Sequence, residues 1–316
     1  MNQIANKQTP VHAAAGIIAD LRRIPKQLSP ALFYDQRGSQ LFDQICELPE
    51  YYVTRVETAI LQRHAAAIAQ AIGAQALLVE LGSGSSIKTR LLLDALPSLA
   101  AYVPMDISRA HLLESAQALA ADYPQLDVMP LCADFLQAFT LPQPQRAANR
   151  VVFFFPGSTI GNLDTVQAKK LLTRLRSMAG NNGGLVIGVD LVKHPDVLRA
   201  AYNDAAGVTA EFNRNMLVHL NREFSAAFDV ASFRHAAVWD SPQGRIEMRL
   251  ISDREQVVTV AGESIKFAAN EYIVTERCHK YTLPGFRALA QACGWVTNAV
   301  WTDDADQFSV HYLRAA

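Results

Sequence analysis

Residues 77–86, with the sequence LLVELGSGSS, most constrain what this chain can fold into. The apolar run at the start of this stretch predicts a short strand buried on both faces, as in a parallel sheet. Gly82 and Gly84 then predict a turn in which the backbone can approach a ligand, because glycine has no β-carbon. Ser85 and Ser86 are expected to cap the helix that follows. This order is typical of a nucleotide site at the carboxyl edge of a sheet, although a plain strand-to-helix connection can carry the same glycines.

Acidic residues end the next two apolar segments. AYVPMDIS contains Asp106, about two dozen residues after Gly82, where a carboxylate can accept hydrogen bonds from ribose hydroxyls. LDVMPLCADF ends in Asp134 and Phe135, which suit the amine and the ring face of an adenine. Enzymes that bind NAD share the first two features, so a dinucleotide oxidoreductase stays an alternative at this point.

Composition bounds the kind of protein. The chain has 316 residues, half of them hydrophobic and 19% charged, as expected for a globular enzyme of one large domain or two. A net charge of −1 predicts no nucleic-acid partner. The four cysteines lack metal-ligand spacing, so we predict free thiols and no metal site. We also expect no signal peptide, no membrane segment, a cytoplasmic location and a monomer acting on a small molecule.

The order of predicted elements indicates an α/β fold. Residues 11–23 and 31–72 read as helices, the second stretch being broken at Gly38 and Pro49. Strands at LLVEL, YVPMD, LDVMPLC, RVVFFF and GLVIGVDL alternate with helices and predict a doubly wound, Rossmann-like parallel sheet. A helical segment and alternating strands after Lys193 predict an inserted α+β domain, and AVWTD with FSVHYLRA predicts a closing antiparallel pair. The predicted domains are 60–195 with 284–316, and 1–59 with 196–283.

Long, ordered motifs carry a family resemblance over nearly the whole chain. FYDQRGSQLFDQICELPEYYVTRVE, VELGSGSSIKTR, FFPGSTIGNL, AYNDAAGVTAEFNRN, RIEMRL and TERCHKY resemble the histidine Nα-methyltransferase family of ergothioneine biosynthesis. The resemblance implies a class I methyltransferase core with a second, substrate-binding α+β domain. It also implies S-adenosyl-L-methionine as cofactor and trimethylation of the histidine α-amino group to hercynine. Methyl transfer from a sulfonium requires positioning of a neutral amine rather than a metal or a covalent nucleophile.

The resemblance implies roles for particular residues. The cofactor would be bound by Gly82, Lys88, Asp106, Asp134 and Phe135. Lys88 would stand in the first turn of a helix, where a cation opposes the helix dipole and needs an anionic partner such as the cofactor carboxylate.

The resemblance also implies a substrate site. Tyr34 and Gly157 would line the place of the amino group, as the catalytic pair. The other substrate-binding residues fall into three sets: Asn162 and Tyr202 for the carboxylate, Glu276 for the imidazole N–H, and Phe42, Tyr51 and Met248 for the ring pocket. Each has an ordinary structural alternative, such as a core aromatic residue, a gap-filling methionine, a helix cap or a solvated strand residue.

One position departs from the family pattern. The family usually has serine two residues after the binding glutamate, whereas this chain has Cys278 there, with Arg277 between. A thiol is a weaker hydrogen-bonding group than a hydroxyl. Arg277 should point to the other face of a strand or pair with a substrate anion. Another amino acid or an imidazole-bearing amine is therefore the alternative substrate, and a non-catalytic regulatory protein that binds S-adenosylmethionine is the alternative of another class.

Overall fold

The computed structural model of the protein describes residues 10–84 and 87–316, so the predicted capping by Ser85 and Ser86 lies outside the described residues. The α-helices are α1 (Pro10–Leu21), α2 (Gln36–Glu47), α3 (Tyr52–Ile72), α4 (Ile87–Asp94), α5 (Arg109–Asp122), α6 (Thr165–Ala179), α7 (Pro195–Ala201), α8 (Val208–Glu223) and α9 (Leu283–Ala292). The strands are β1 (Lys26–Gln27), β2 (Ala76–Leu81), β3 (Ala101–Asp106), β4 (Leu131–Cys132), β5 (Arg150–Phe155), β6 (Gly184–Asp190), β7 (Phe233–Asp240), β8 (Arg245–Ser252), β9 (Gln256–Val260), β10 (Glu263–Phe267), β11 (Tyr272–His279), β12 (Trp295–Thr302) and β13 (Phe308–Ala315).

The chain divides into two compact units, each built from two segments. The first unit comprises Met1–Tyr52 and His194–Cys278, and the second comprises Val53–Lys193 and His279–Ala316. That the second unit is a cofactor domain and the first a substrate domain stays a prediction.

The second unit contains a seven-stranded sheet in the order β12-β13-β6-β5-β2-β3-β4. Strands β2 to β6 run parallel, and β13 joins β6 and β12 in antiparallel pairs. Every residue of β2 and of β6 is buried, which is the reason for their continuous apolar sequences. The predicted α/β, Rossmann-like class I core with its antiparallel closing pair is confirmed.

Helix α6 shows how a helix is fixed against this sheet. Asp164 caps it by accepting from the Gln167 N–H at 2.8 Å, and the Gln167 side chain accepts from the Asp164 N–H at 3.1 Å. This capping box satisfies two donors at the start of the helix. The buried side chains of the helix, Leu171 and Leu175 among them, pack into the core on one face of the sheet.

The first unit combines helices with a four-stranded sheet in the order β1-β11-β8-β7, beside the hairpin β9–β10. Strands β7 and β8 pair antiparallel over their whole length. Ala261 and Gly262 turn the β9–β10 hairpin with positive φ angles of 47° and 86°, as a two-residue primed turn requires. Phe33 stacks on Phe212 of α8, with ring centroids 4.4 Å apart.

The predicted helix break at Gly38 is wrong, because Gly38 lies inside α2. Its N–H donates to Asp35, the N-cap, at 2.7 Å. A β-carbon at this position would stand 1.7 Å from the carbonyl oxygen of Phe33. Glycine here therefore allows a close backbone approach instead of ending the helix. The break predicted at Pro49 falls between α2 and α3.

The helical segment after Lys193 is two helices, α7 and α8, separated by residues 202–207. Asp204 accepts from the N–H groups of Val208 and Thr209 at 2.9 and 2.8 Å, so it caps the start of α8. Gly207 has a φ angle of 78°, which permits the sharp turn before α8. The interruption places Tyr202 outside a regular helix.

Candidate active site

In the second unit, the glycine turn after β2 lies against the end of β3. Gly82 and Gly84 have φ angles of 72° and 47°, where residues with side chains are strained. The Gly84 N–H donates to Asp106 Oδ2 at 3.3 Å, and the Ser108 N–H donates to Oδ1 at 2.9 Å. These bonds orient the Asp106 carboxylate while leaving it acceptor capacity for a ribose hydroxyl. A β-carbon at Gly84 would meet no atom within 4 Å, so the turn has open space beside it.

Asp134 and Phe135 follow β4 in the same unit. Asp134 Oδ1 accepts from the Leu136 N–H at 2.7 Å. Arg174 of α6 donates to the carbonyl oxygens of Phe135 and Leu136, which fixes the backbone of this segment. The Phe135 ring makes an edge contact with Phe155, with centroids 5.4 Å apart.

Phe135 also lies beside the glycine turn. One of its ring carbons is 3.9 Å from the place of a β-carbon at Gly82. The structure thus brings the predicted ribose and adenine residues to one sheet edge, and this set fits an adenosyl group in chemistry.

Lys88, in the first turn of α4, has an anionic partner within the protein. Its Nζ donates to Glu57 Oε2 at 2.5 Å. Glu57 of α3 is fully buried, and it also accepts from the Gly157 N–H with both oxygens, at 3.0 and 2.8 Å. Sequence reasoning missed Glu57. The available signal was a carboxylate placed among the apolar positions 53, 60 and 61 of a helical stripe.

Gly157 and Asn162 lie in the segment that follows β5. Gly157 and Ser158 both have positive φ angles, 78° and 56°. Ser158 Oγ accepts from the Asp190 N–H at 2.9 Å, which ties this segment to the end of β6. Asn162 ends the short 3-10 helix Thr159–Asn162. Since Asp164 caps α6, Asn162 is not the cap of that helix.

A buried ionic cluster supports the end of β6. Asp190 pairs with Lys193 at 2.5 Å and with the fully buried Lys280 at 2.7 Å. Burial alone would raise the pKa of Asp190, but the two ammonium groups lower it below its ordinary value. The nearby Gly161 carbonyl accepts from His279 Nδ1 at 3.1 Å.

Glu80, the acidic residue of the strand β2, is also buried. Thr89 and Tyr102 both donate hydroxyl hydrogen bonds to Glu80 Oε2, at 2.5 Å each. Burial raises the pKa of Glu80 to about 7, although these two bonds and the charge of Lys88 act in the opposite direction. Glu80 is therefore a carboxyl group that changes charge near neutral pH.

In the first unit, the aromatic residues implied for the substrate form one continuous row. The Tyr34 and Phe42 rings lie 5.9 Å apart, Phe42 and Tyr51 lie 6.2 Å apart, and Tyr51 and Tyr202 lie 6.2 Å apart, all edge to face. Such pairs stabilise a fixed ring geometry beyond area burial. Burial raises the pKa of Tyr51 well above its usual range, with smaller contributions from Tyr202 and Glu276. The hydroxyl of Tyr51 therefore stays protonated.

Glu276 and Cys278 occupy alternate positions of β11 and so share one face of the strand. Both lie close enough to Tyr51 to influence its pKa. Arg277 lies on the opposite face, where it donates to Glu247 of β8 at 3.3 Å and to Gln27 at 3.0 Å. Arg277 therefore points away from Glu276, as predicted for a strand, and its partners there are two side chains of the protein.

Glu247 lies on the Arg277 face of the sheet, because the two side chains are hydrogen-bonded. Its neighbour in β8, Met248, therefore lies on the other face, with Glu276 and Cys278. It is 2% exposed, and its carbonyl accepts from the Thr275 hydroxyl at 3.1 Å. The first unit therefore brings together seven of the predicted residues: Tyr34, Phe42, Tyr51, Tyr202, Met248, Glu276 and Cys278. Their individual roles stay predictions.

A second network that sequence reasoning missed supports Tyr202. The Nε2–H of His235 donates to the Tyr202 carbonyl at 2.8 Å, and the amide of Asn213 donates to His235 Nδ1 at 2.8 Å. Asn213 also donates to the Arg249 carbonyl at 3.2 Å. Burial lowers the pKa of His235 below its ordinary value, and the charge of Arg214 acts in the same direction. No sequence motif signals this contact.

Residues 10–84 and 87–316 hold no group of three or more His, Cys, Asp or Glu side chains that could bind a metal ion. No helix in these ranges combines the length and the apolar character needed to cross a membrane. None of the four cysteines forms a disulfide bond.

The fold and the residues at its sheet edge define a class I S-adenosylmethionine-dependent methyltransferase. The chain belongs to the family described as histidine-specific, S-adenosylmethionine-dependent methyltransferases, whose model matches residues 13–315. It is therefore an N-methyltransferase with S-adenosylmethionine as cofactor, which confirms those predictions. The alternatives of a dinucleotide oxidoreductase and of a non-catalytic protein give way to this class.

Individual proteins show the same likeness. The histidine N-alpha-methyltransferase of Mycobacterium tuberculosis is 42% identical over 93% of this chain and 92% of its own length. Ergothioneine biosynthesis protein 1 of Neurospora crassa is 31% identical over 92% of this chain, but over only 33% of its own length. The crystal structure of a possible exported protein from Bordetella parapertussis covers 98% of this chain and 97% of that chain, with a TM-score of 0.50 and 13% identity. This last likeness concerns the fold alone.

Proposed function

We propose that the enzyme methylates the α-amino nitrogen of L-histidine and continues to the trimethylated betaine hercynine, a step of ergothioneine biosynthesis. The membership in a histidine-specific family supports this substrate. The names of the mycobacterial and fungal relatives support the position of methylation and the pathway.

One observation carries the substrate assignment. Glu276 is half-buried on the same strand face as Cys278, next to the buried Tyr51–Tyr202 pair. A carboxylate in an aromatic setting selects a ring that carries an N–H donor, because an apolar ring would leave the carboxylate without that bond. Imidazole carries such an N–H donor.

The chain's own residues would then divide the work between binding and orientation. Bound S-adenosylmethionine supplies an electrophilic methyl group on a cationic sulfur. The side chains of Asn162 and Tyr202 would hold the substrate carboxylate, and Tyr34 with the Gly157 peptide would orient the amino group. An amine is nucleophilic only when neutral, and effective transfer needs it held about 3 Å from the methyl carbon with water excluded.

A specific observation favours a second candidate substrate. Cys278 is buried and stands where the family usually has serine. A thiol gives imidazole a weaker hydrogen bond than a hydroxyl does. Another amino acid or an imidazole-bearing amine is therefore the rival acceptor for the same reaction.

The deciding experiment is a survey of acceptors. The purified enzyme is incubated with labelled S-adenosylmethionine and each of the twenty amino acids, or with histamine. We expect histidine to be preferred and histamine, which lacks the carboxylate, to be a poor acceptor. Mass spectrometry of the product counts the methyl groups. Preference for another acceptor, or histamine turnover equal to that of histidine, would contradict the proposal.

We also infer that the enzyme acts as a monomer in the cytoplasm on a small molecule and without nucleic acid. The net charge of −1 supports the absence of a nucleic-acid partner, and four cysteines without a disulfide bond support the location. Light scattering after size exclusion measures the mass in solution, and a dimer mass would refute the monomer.

A further inference from the structure

Glu57 lies at the meeting point of two segments that the family resemblance links to ligand binding. Its carboxylate binds the ammonium of Lys88, at the start of α4, and the backbone N–H of Gly157, after β5. The Lys88 side chain is 15% exposed, whereas Glu57 is fully buried. One side chain from α3 therefore connects the segment after β2 with the segment after β5.

The fold makes space for this carboxylate at Gly188. A β-carbon added to Gly188 of β6 would stand 2.0 Å from Glu57 Oε1. The absence of a side chain on this strand allows the carboxylate to lie against the sheet.

Burying the Glu57 carboxylate costs enough free energy to require an explanation. Removing a carboxylate from water is unfavourable, and here it is offset by one ammonium and one peptide N–H. A buried ion pair adds little net stability compared with well-packed apolar side chains. What it does supply is a fixed position for both of its partners. Rigid support of this kind is what a binding site requires of the residues behind it.

We propose that Glu57 is a positioning residue that sets the Lys88 ammonium and the Gly157 peptide in their working places. It acts through these two partners and does not touch the substrate. Through Lys88 it prepares the site of the cofactor's amino-acid tail. Through Gly157 it fixes the start of the segment that carries Asn162, and this second effect rests on the proposed function.

The test of the cofactor effect is calorimetry with two ligands. S-adenosylhomocysteine carries the amino-acid tail, whereas 5′-methylthioadenosine has the same adenosyl group without it. Glu57→Gln should raise the Kd of S-adenosylhomocysteine about tenfold, the loss expected for one charged hydrogen bond. The Kd of 5′-methylthioadenosine should stay within about twofold, because that ligand has no carboxylate for Lys88. A general loosening of the site would raise the Kd values of both ligands, and this result would overturn the proposal. An unchanged or lower Kd for S-adenosylhomocysteine would overturn it as well.

A double-mutant cycle tests whether Glu57 acts through Lys88. Lys88→Met alone should raise the Kd of S-adenosylhomocysteine, and adding Glu57→Gln to this variant should raise the Kd hardly any further. Additive losses would refute action through Lys88. The matched control is Asp304→Asn, which breaks the exposed ion pair between Asp304 and Arg63. Arg63 lies in α3, the helix that carries Glu57. Asp304→Asn should leave both Kd values unchanged.

Kinetics test the effect on the substrate segment. At saturating cofactor, Glu57→Gln should raise the KM for histidine about fivefold, while Asp304→Asn should leave it unchanged. If the wild-type enzyme does not methylate histidine, the proposed function fails while the calorimetric test still decides the role of Glu57. If Glu57→Gln does not fold, Lys88→Met must still separate the two ligands, weakening S-adenosylhomocysteine alone. Equal weakening of both ligands would then overturn the proposal.

Discussion

Replacement of Glu80 by glutamine should make the protein more stable than the wild type at alkaline pH. Near pH 4.5 the two proteins should have nearly the same free energy of unfolding. The glutamine oxygen can accept the hydroxyl bonds that Thr89 and Tyr102 now donate to the carboxyl group, but it cannot ionise. In the wild type, burial raises the pKa of Glu80 from 4.5 to about 7. The folded protein therefore holds this proton more tightly than the unfolded chain does.

The magnitude follows from linkage. Stability from the neutral Glu80 carboxyl is fully present below pH 4.5 and is lost as the pH rises through about 7. A difference of about 2.5 pKa units corresponds to roughly 3 kcal/mol of unfolding free energy. We therefore expect the free energy of unfolding of Glu80→Gln, relative to the wild type, to increase by roughly 3 kcal/mol between about pH 5 and about pH 8.

The assay is urea unfolding at a series of pH values, followed by circular dichroism and fluorescence, with coincident transitions as the check on two-state behaviour. Subtracting the wild-type value at each pH removes the contribution of the other titrating groups. Leu78→Val, in the same strand, is the control, because it lowers stability without removing an ionisable group. A difference between Glu80→Gln and wild type that is constant with pH, or that decreases as pH rises, would refute the reasoning.

Other expected outcomes concern titration, cofactor and substrate. Burial lowers the pKa of His311 from 6.5 to about 4, so the contribution of His311 to the free energy of unfolding should fall by roughly 3 kcal/mol as the pH drops across that interval. In urea titrations the stability of His311→Gln relative to the wild type should therefore rise by that amount, and a difference that stays constant with pH would refute the reasoning. Asp106→Ala should weaken S-adenosylmethionine binding by about 1.5–3 kcal/mol in calorimetry, and an unchanged Kd would remove Asp106 from the site. Asn162→Ala should lower kcat/KM for histidine while the cofactor Kd stays nearly constant; a matching loss of cofactor affinity would count against a carboxylate role. Cys278→Ser should raise kcat/KM for histidine about fivefold by restoring a hydroxyl, and an unchanged or lower value would favour the rival acceptor.

Periodicity and turn residues were sufficient to predict the core of the second unit. Strands β2 and β6 are buried on both faces and read as continuous apolar runs, and Gly82 marks the turn after β2. Gly38 misled the sequence reading, because a glycine that ends a helix and one that admits a close backbone contact look the same in a sequence. The contact with Phe33 that requires it becomes visible only in three dimensions.

The residues that could not be predicted from the sequence are those that hold other site residues in place by hydrogen bonds. Glu57 ends the first of the family motifs, but nothing in that motif indicates its role, and the partners of Glu57 and His235 lie far away in the sequence. Lys88 shows the same limit. Its need for an anion could be predicted from the helix dipole, but the identity of that anion could not.

The pairing of β1 with β11 has a consequence for how the protein is made. Lys26 lies opposite Ile273, so the N-terminal strand has no sheet to join until most of the chain has left the ribosome. At about 5–20 residues per second, the segment Met1–Tyr52 must wait at least several seconds for its partner segment. Apolar side chains such as Phe33 and Leu41, fully buried in the finished protein, are exposed during that interval. Synthesis therefore places a demand on chaperones at the N-terminus that a unit built from one continuous segment would avoid.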